Sequence, residues 1–120
     1  MVILRAEETY EEEGYEGERG IILSDDGKWI GDYNVIFKGK TFYIHWLGII
    51  HDEQGKGYGR QAFDQLVQRA KDERFLRIEL QALGEKATTF WTHHGFKPVP
   101  GTQGSLLHRP VHVRQHRRRR

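Results

Sequence analysis

The stretch Gln54-Gly55-Lys56-Gly57-Tyr58-Gly59-Arg60 decides how the rest of the chain is read. An apolar run, Ile44 to Ile50, precedes it and reads as a strand. Behind it Ala62, Phe63, Leu66, Val67 and Ala70 recur with helical spacing. Strand, glycine-rich turn and helix together make a seat for an anion. Glycines let the backbone approach a ligand without Cβ collisions. The first N–H groups of a helix lack intrahelical partners, and the helix dipole adds partial positive charge there. Lys56 and Arg60 contribute full charges. The guest predicted for such a turn is a phosphate or diphosphate. The spacing is not the dinucleotide-binding fingerprint, because no Gly lies three residues beyond Gly59, and no Gly-Lys-Ser/Thr makes it a P-loop.

A chain of 120 residues is one domain with a single modest core. It has no cysteine, which excludes disulfides, thiolate nucleophiles and Cys-based zinc sites. No apolar run is long enough to cross a bilayer, and the apolar residues of Met1–Arg5 are too few for a signal peptide. The expected location is the cytoplasm, with no membrane partner. The net charge of +2 is unevenly spread: residues 108–120 hold six arginines, and the other 107 residues carry a net −4.

Taken in order, Val2–Arg5 predicts a first strand, and the glutamate-rich residues 7–18 predict a loop. Ile21–Leu23 is a short strand, and Ser24-Asp25-Asp26-Gly27 a hairpin turn. Lys28–Phe37 is the next strand, turned by Lys38-Gly39-Lys40. Thr41–Ile50 has few polar residues and suits a central strand. A helix over residues 57–72 follows, then an alternating strand, Arg74–Gln81. A second helix over Glu85–His94 carries Ala87, Phe90, Trp91 and His94 on one face and is capped by Gly95. Strands begin at Phe96 and over Ser105–Leu107, separated by a turn-rich loop. The order β, loop, β, β, β, α, β, α, β, β describes an α/β fold with a mixed sheet. The expected domain spans residues 1–109, followed by a basic, flexible tail at 110–120.

Gln54, Gly57 and Gly59 fill the fixed positions of Gln/Arg-x-x-Gly-x-Gly/Ala, and the run resembles that motif of the GNAT N-acetyltransferase superfamily. Ala87-x-x-Phe90-Trp91-x-x-x-Gly95-Phe96 resembles the family's later motif, where a helix ends at a Gly-Phe pair. Leu47-x-Ile49 stands where the family has its apolar strand end. The resemblance covers roughly residues 21–109. It implies the GNAT acyl-CoA acyltransferase fold, acetyl-coenzyme A as co-substrate, no metal, and direct attack of an amine on the thioester. It further implies that residues 55–60 hold the pyrophosphate. The pantetheine arm would pair with an edge opened where strands 44–50 and 75–81 splay, and the Ile49 N–H would meet the thioester carbonyl. The implied cofactor residues are Leu47, Ile49, Gln54, Gly55, Lys56, Gly57, Tyr58, Gly59, Arg60 and Trp91.

The chain departs from the family in several places. The family usually has two helices between its first two strands, forming one wall of the acceptor site. Here about fifteen mostly acidic residues replace them, so the wall is reduced, absent or supplied by a second subunit of a homodimer. Gly84 stands where an Asn is frequent, and Trp91 where a tyrosine often protonates the departing thiolate. Tyr43 stands where the histone branch has its glutamate base. The cofactor half matches; the catalytic half does not.

An alkylamine acceptor is neutral in only about one molecule in 2,500 at pH 7, equivalent to about 4.6 kcal/mol. A base must recover part of that. His45 is the first candidate, with Tyr43 on the same strand face; Glu79 or a water are rivals. The alternative for His45 is an imidazole packed beneath a helix. Tyr58, His93 and His94 are candidate acids, His94 being better explained as structural. The acidic stretch suits a cationic acceptor, a small molecule or a peptide amine, or is simply a solvated loop. Arg109, Arg114 and Arg117–Arg120 can bind nucleic acid electrostatically, without aromatics for stacking, form a plain disordered end, or pair with the glutamates of residues 7–18. On a helix, His108, His112 and His116 would make a metal-binding stripe, but Pro110 and the valines argue against a helix. The expected activity is acetyl-CoA-dependent N-acetylation of a primary amine. The alternatives are a GNAT-like acetyl-CoA-binding sensor or partner module without turnover, and nucleic-acid binding through the tail.

Overall fold

The apolar and alternating runs assemble into seven strands of one mixed sheet, with two helices on one side. The structure, a computed structural model, describes residues 1–102 and 106–112. The strands are β1 (Ile3–Glu12), β2 (Tyr15–Leu23), β3 (Trp29–Lys38), β4 (Thr41–Ile49), β5 (Arg77–Gln81), β6 (Lys97–Pro98) and β7 (Leu106–Pro110). The helices are α1 (Tyr58–Asp72) and α2 (Glu85–His93), and a 3-10 turn at His51–Glu53 links β4 to the glycine loop. The spatial order is β1-β2-β3-β4-β5-β7-β6, which puts β4 at the centre as its apolar character predicts. Among the described residues only β4 and β5 run parallel; the other neighbours are antiparallel.

Residues 7–18 are the main correction to the sequence reading. They are not a loop: they complete β1 and begin β2, paired from Glu8↔Arg19 to Glu12↔Tyr15. Glu13 and Gly14 turn the hairpin, both with positive φ (52° and 85°), as a two-residue turn that follows strand twist requires. Glutamate's weak preference for strands hid the pairing, while the Glu-Gly pair was the available turn signal. No helix stands between the first two strands. The sheet also runs beyond residue 109: Pro110 pairs with Arg77, and the Val111 N–H donates to the Leu76 carbonyl at 3.0 Å. Val111 is buried. His108 lies in a strand, so the His repeat makes no helical stripe; His116 and the arginines from Arg114 onward lie outside the described residues.

The apolar stripe of α1, Ala62, Phe63, Leu66, Val67 and Ala70, is buried against Tyr33, Val35, Phe42, Ile44, Ile78 and Leu80. Trp91 of α2 packs on Phe63 of α1, ring centroids 4.9 Å apart, so both helices lie on the same face of the sheet. Among the described residues no helix covers the other face. There Tyr10 donates to Asn34, and the Arg19 guanidinium lies over the Tyr10 ring. α1 is tied to β2 by a buried clip: Arg69 donates two hydrogen bonds to the Glu18 carboxylate (2.6 and 2.9 Å), and the Tyr33 hydroxyl donates a third at 2.8 Å.

Candidate functional site

Two irregularities of β4 build the site. The first is a bulge. Val35 pairs with Ile44 and Asn34 with Trp46, which leaves His45 as the extra residue with no partner on β3. The second is the short parallel ladder. β5 pairs with β4 only from Thr41↔Arg77 to Ile44↔Leu80. Beyond Ile44 the two strands part, and the lower half of β4 has a free edge toward β5.

The polarity of that edge follows from antiparallel geometry. The Ile50 N–H donates to the Ile30 carbonyl at 2.9 Å. Successive residues of a strand turn their N–H and C=O to alternate sides, so the Ile49 amide turns away from β3, toward the gap. The Ile49 carbonyl does the same and accepts from Gln54 Nε2 at 2.9 Å. Gln54 therefore fastens the glycine loop to the strand end and leaves the Ile49 N–H on the open edge.

The loop turns sharply into α1. Gly55 and Gly57 have φ of 82° and 85°, and Gly57 is the N-cap, with no side-chain hydrogen bond capping the helix. The first intrahelical bond is Gln61 N–H to the Gly57 carbonyl, 3.1 Å. The amides of Tyr58, Gly59 and Arg60 thus precede the first helical donor and form a positive pole. A Cβ on Gly57 would meet nothing within 4 Å, so the cost of Gly57→Ala is backbone strain of about 1–2 kcal/mol and a methyl projecting into open space beside the loop. Affinity for coenzyme A, the ligand that the family resemblance implies, should fall about tenfold, the upper part of that strain expressed in binding. Titration calorimetry measures it; unchanged affinity would show that the αL turn is not needed.

Two adjoining hollows follow this geometry. One, about 170 Å³, lies in the splay between His45, Leu47, Leu80, Ala87 and Trp91. The other, about 570 Å³, runs along Ile49, Gln54, Gly55, Gly57, Tyr58, Gly59 and Phe90. Trp46 and Leu47 line both and join them into one groove. A hollow of about 640 Å³ between residues 1–4 and Gln61–Gln65 is larger but lies apart from the splay and the loop.

The structure brings most of the residues singled out from sequence to this groove. Leu47, Ile49, Gln54, Gly55, Gly57, Tyr58 and Gly59 line its wider part, and Trp91 and His45 line the splay. Lys56 and Arg60 each meet a carboxylate: Lys56 pairs with Glu53 at 3.0 Å, a carboxylate it shares with Lys28, and Arg60 lies 3.6 Å from Asp64. Tyr43 sits beside His45 with ring centroids 6.0 Å apart, yet it does not line the splay. It pairs with Glu79, and burial, then the charge of Glu79, raises its phenol above the ordinary value. Such a phenol keeps its proton and is unsuited to act as base. His94 caps α2 and its ring lies tilted against Phe90, centroids 4.5 Å apart; burial, then the charges of Arg60 and Arg109, disfavours its protonated form. Arg109 belongs to the folded body, donating to the His94 carbonyl at 2.9 Å with its guanidinium over Phe63 and Phe96.

Sequence reasoning missed Trp46, Glu53 and Phe90. The Trp46 indole lies across Gly48 and donates to Asp32 at 2.7 Å. The bulge places it at the junction of the two hollows, and nothing in the sequence marks a bulge. Phe90 was read as part of the packed face of α2, but it is exposed at the groove. Glu53 is buried despite its charge.

A family model described as the acetyltransferase (GNAT) family matches residues 3–96. The chain belongs to the GNAT acetyltransferase family. No curated protein matches the sequence closely enough to count as a relative. Solved structures share the GNAT fold at low identity. A GNAT-family acetyltransferase from Staphylococcus aureus superposes with a TM-score of 0.65 at 13% identity, covering 80% of this chain and 68% of that one. Tetrahymena GCN5 gives 0.68 at 17%, covering 80% and 69%. The paia N-acetyltransferase of Thermoplasma acidophilum, solved in complex with coenzyme A, gives 0.66 at 17%, covering 78% and 60%. The β1–β2 hairpin leaves no helices between those strands, where the sequence reading expects a reduced or absent pair.

Proposed function

We propose that this GNAT protein moves an acetyl group from acetyl-coenzyme A to a primary amine. The observation that carries the reading is the free edge of β4, which turns the Ile49 N–H into a groove ending at the uncapped start of α1. The α1 pole and the glycine loop take the diphosphate. The amide-bearing pantetheine arm lies along Leu47 and Ile49, and the thioester reaches the splay near His45. The family membership and a GNAT neighbour solved with coenzyme A support this placement.

The amine nitrogen attacks the thioester carbonyl carbon, and its lone pair forms the new C–N bond. The carbonyl electrons move to oxygen, and a backbone N–H on the open edge of β4 within the splay stabilises that oxyanion as charge develops. His45 Nδ1 or Nε2 takes the proton from nitrogen. Collapse of the intermediate breaks the C–S bond, and the thiolate takes a proton from solvent. Trp91 is a poor donor for that last step because an indole N–H is not acidic. The acceptor approaches past Trp46, where a further hollow is bordered by Glu7, Glu8 and Asp32 against one cation, Arg19, which pairs with Glu8; the acidic excess favours a cationic amine.

Titration calorimetry with coenzyme A and a thiol-release assay over a panel of amines test the reading together. Binding with release on at least one amine is expected. Binding without release on any amine would favour a sensor module, and no heat with either form of the coenzyme would overturn the enzymatic reading.

A further inference from the structure

One charged cluster beside the groove is not explained by the glycine motif. Glu53 lines the wider part of the groove next to Gln54 and Gly55. Its side chain is only 8% exposed. A buried carboxylate beside a diphosphate seat would repel the ligand if it stood alone. It does not stand alone: Lys28 Nζ donates to Oε2 at 2.6 Å and Lys56 Nζ to Oε1 at 3.0 Å. One carboxylate thus holds two ammonium groups, and the cluster carries a net +1. Each ammonium has three N–H donors, and both lysine side chains are more than half exposed. Donors remain for a further acceptor.

The three residues come from separate parts of the fold. Lys56 is in the loop, Glu53 in the 3-10 turn, and Lys28 at the end of the β2–β3 connection. Lys28 is fixed in its main chain: its N–H donates to Ser24 Oγ at 3.2 Å, and its carbonyl accepts from the Ser24 N–H at 2.9 Å. A lysine that is already held loses less rotamer freedom when a ligand arrives than a free one.

We infer that Lys28 and Lys56, bridged by Glu53, form a second anion seat for a phosphate group of the coenzyme, with Lys28 as ligand and Glu53 as positioning residue. This rests on the reading that the groove holds coenzyme A. The phosphate is either the diphosphate extending past the loop or the 3′-phosphate of the ribose, and the two are separable by experiment.

The test is titration calorimetry of the whole protein with coenzyme A and with 3′-dephospho-coenzyme A, for wild type, Lys28→Gln, Lys28→Arg and Glu53→Gln, with melting curves to show that each is folded. Lys28→Gln should weaken coenzyme A about fivefold to tenfold, the exposed end of a charge-assisted hydrogen bond, and less at high salt. Lys28→Arg should restore most of the affinity. If the loss vanishes with the dephospho compound, the 3′-phosphate is the partner; if it persists, the diphosphate is. Glu53→Gln raises the local charge to +2, so a purely coulombic account predicts tighter binding, whereas loss of positioning predicts weaker binding. Wild type that binds while Lys28→Gln stays within twofold of it would overturn the seat, and tighter binding by Glu53→Gln would overturn the positioning role. Wild type that binds neither compound would remove the coenzyme reading itself, and this inference with it.

Discussion

Replacing His45 with glutamine is expected to lower kcat/KM for amine acetylation about a hundredfold while coenzyme A binding stays unchanged. Glutamine keeps hydrogen-bonding capacity but cannot take a proton. A positioned base contributes roughly 10²–10⁴ in rate. The lower figure applies because His45 is exposed and water competes for the proton. The base proposed is His45 rather than Tyr43. The bulge pushes His45 out of the β3 ladder and into the splay, whereas Tyr43 pairs with Glu79 and holds its proton more tightly than an ordinary phenol. Thiol release measures the rate and calorimetry the binding. A variant within threefold of wild type would show that water or another group removes the proton.

The largest effect on stability is expected from Arg69→Met. Arg69 holds Glu18, whose side chain is 8% exposed, through two hydrogen bonds. Removing one partner of a buried pair costs about 3–5 kcal/mol, and the lower end applies because Arg69 is itself 30% exposed. Domains of this size have only about 5–15 kcal/mol in total. Urea unfolding measures the loss. Glu18→Gln added to Arg69→Met should recover part of it by removing the orphaned charge; no recovery would place the effect in lost packing of the arginine stem. The pair also predicts opposite responses to acid. Burial pushes the Glu18 carboxyl up, but the hydrogen bonds from Arg69 and Tyr33 and the Arg69 charge more than reverse this, and the net shift is downward. A carboxyl depressed in the folded state contributes stability above its unfolded value, about 4.3 for glutamate, and loses it as pH falls through the folded value. In Arg69→Met burial prevails, the folded value rises, and the variant should gain stability relative to wild type as pH falls through the carboxylate range. Parallel pH profiles would contradict the assignment.

The sequence was most informative where local chemistry leaves a periodic or motif-like trace. α1 was legible because its buried residues recur at helical spacing, and the loop because its glycines precede that helix. The centrality of β4 showed in its few polar residues. The hairpin of β1 and β2 was not legible, because glutamates disguise a strand whose outer face is solvent, and only Glu13-Gly14 marked the turn. The His45 bulge was invisible for a different reason: it is a property of the pairing between Asn34, Val35, Ile44 and Trp46 and has no expression in one strand alone. The Lys28–Glu53 contact joins residues 25 positions apart and becomes visible only when the two turns meet.

The hairpin has one more consequence. Among the described residues β1 is the outermost strand and has β2 as its single neighbour, so along its length it presents an edge that another chain could adopt as a template. Glu7, Glu8, Glu11 and Glu12 are exposed along that rim. Two such rims brought together set carboxylate against carboxylate. The residues that look least like a strand thus oppose the meeting of two such edges, and they do so only while they are ionised.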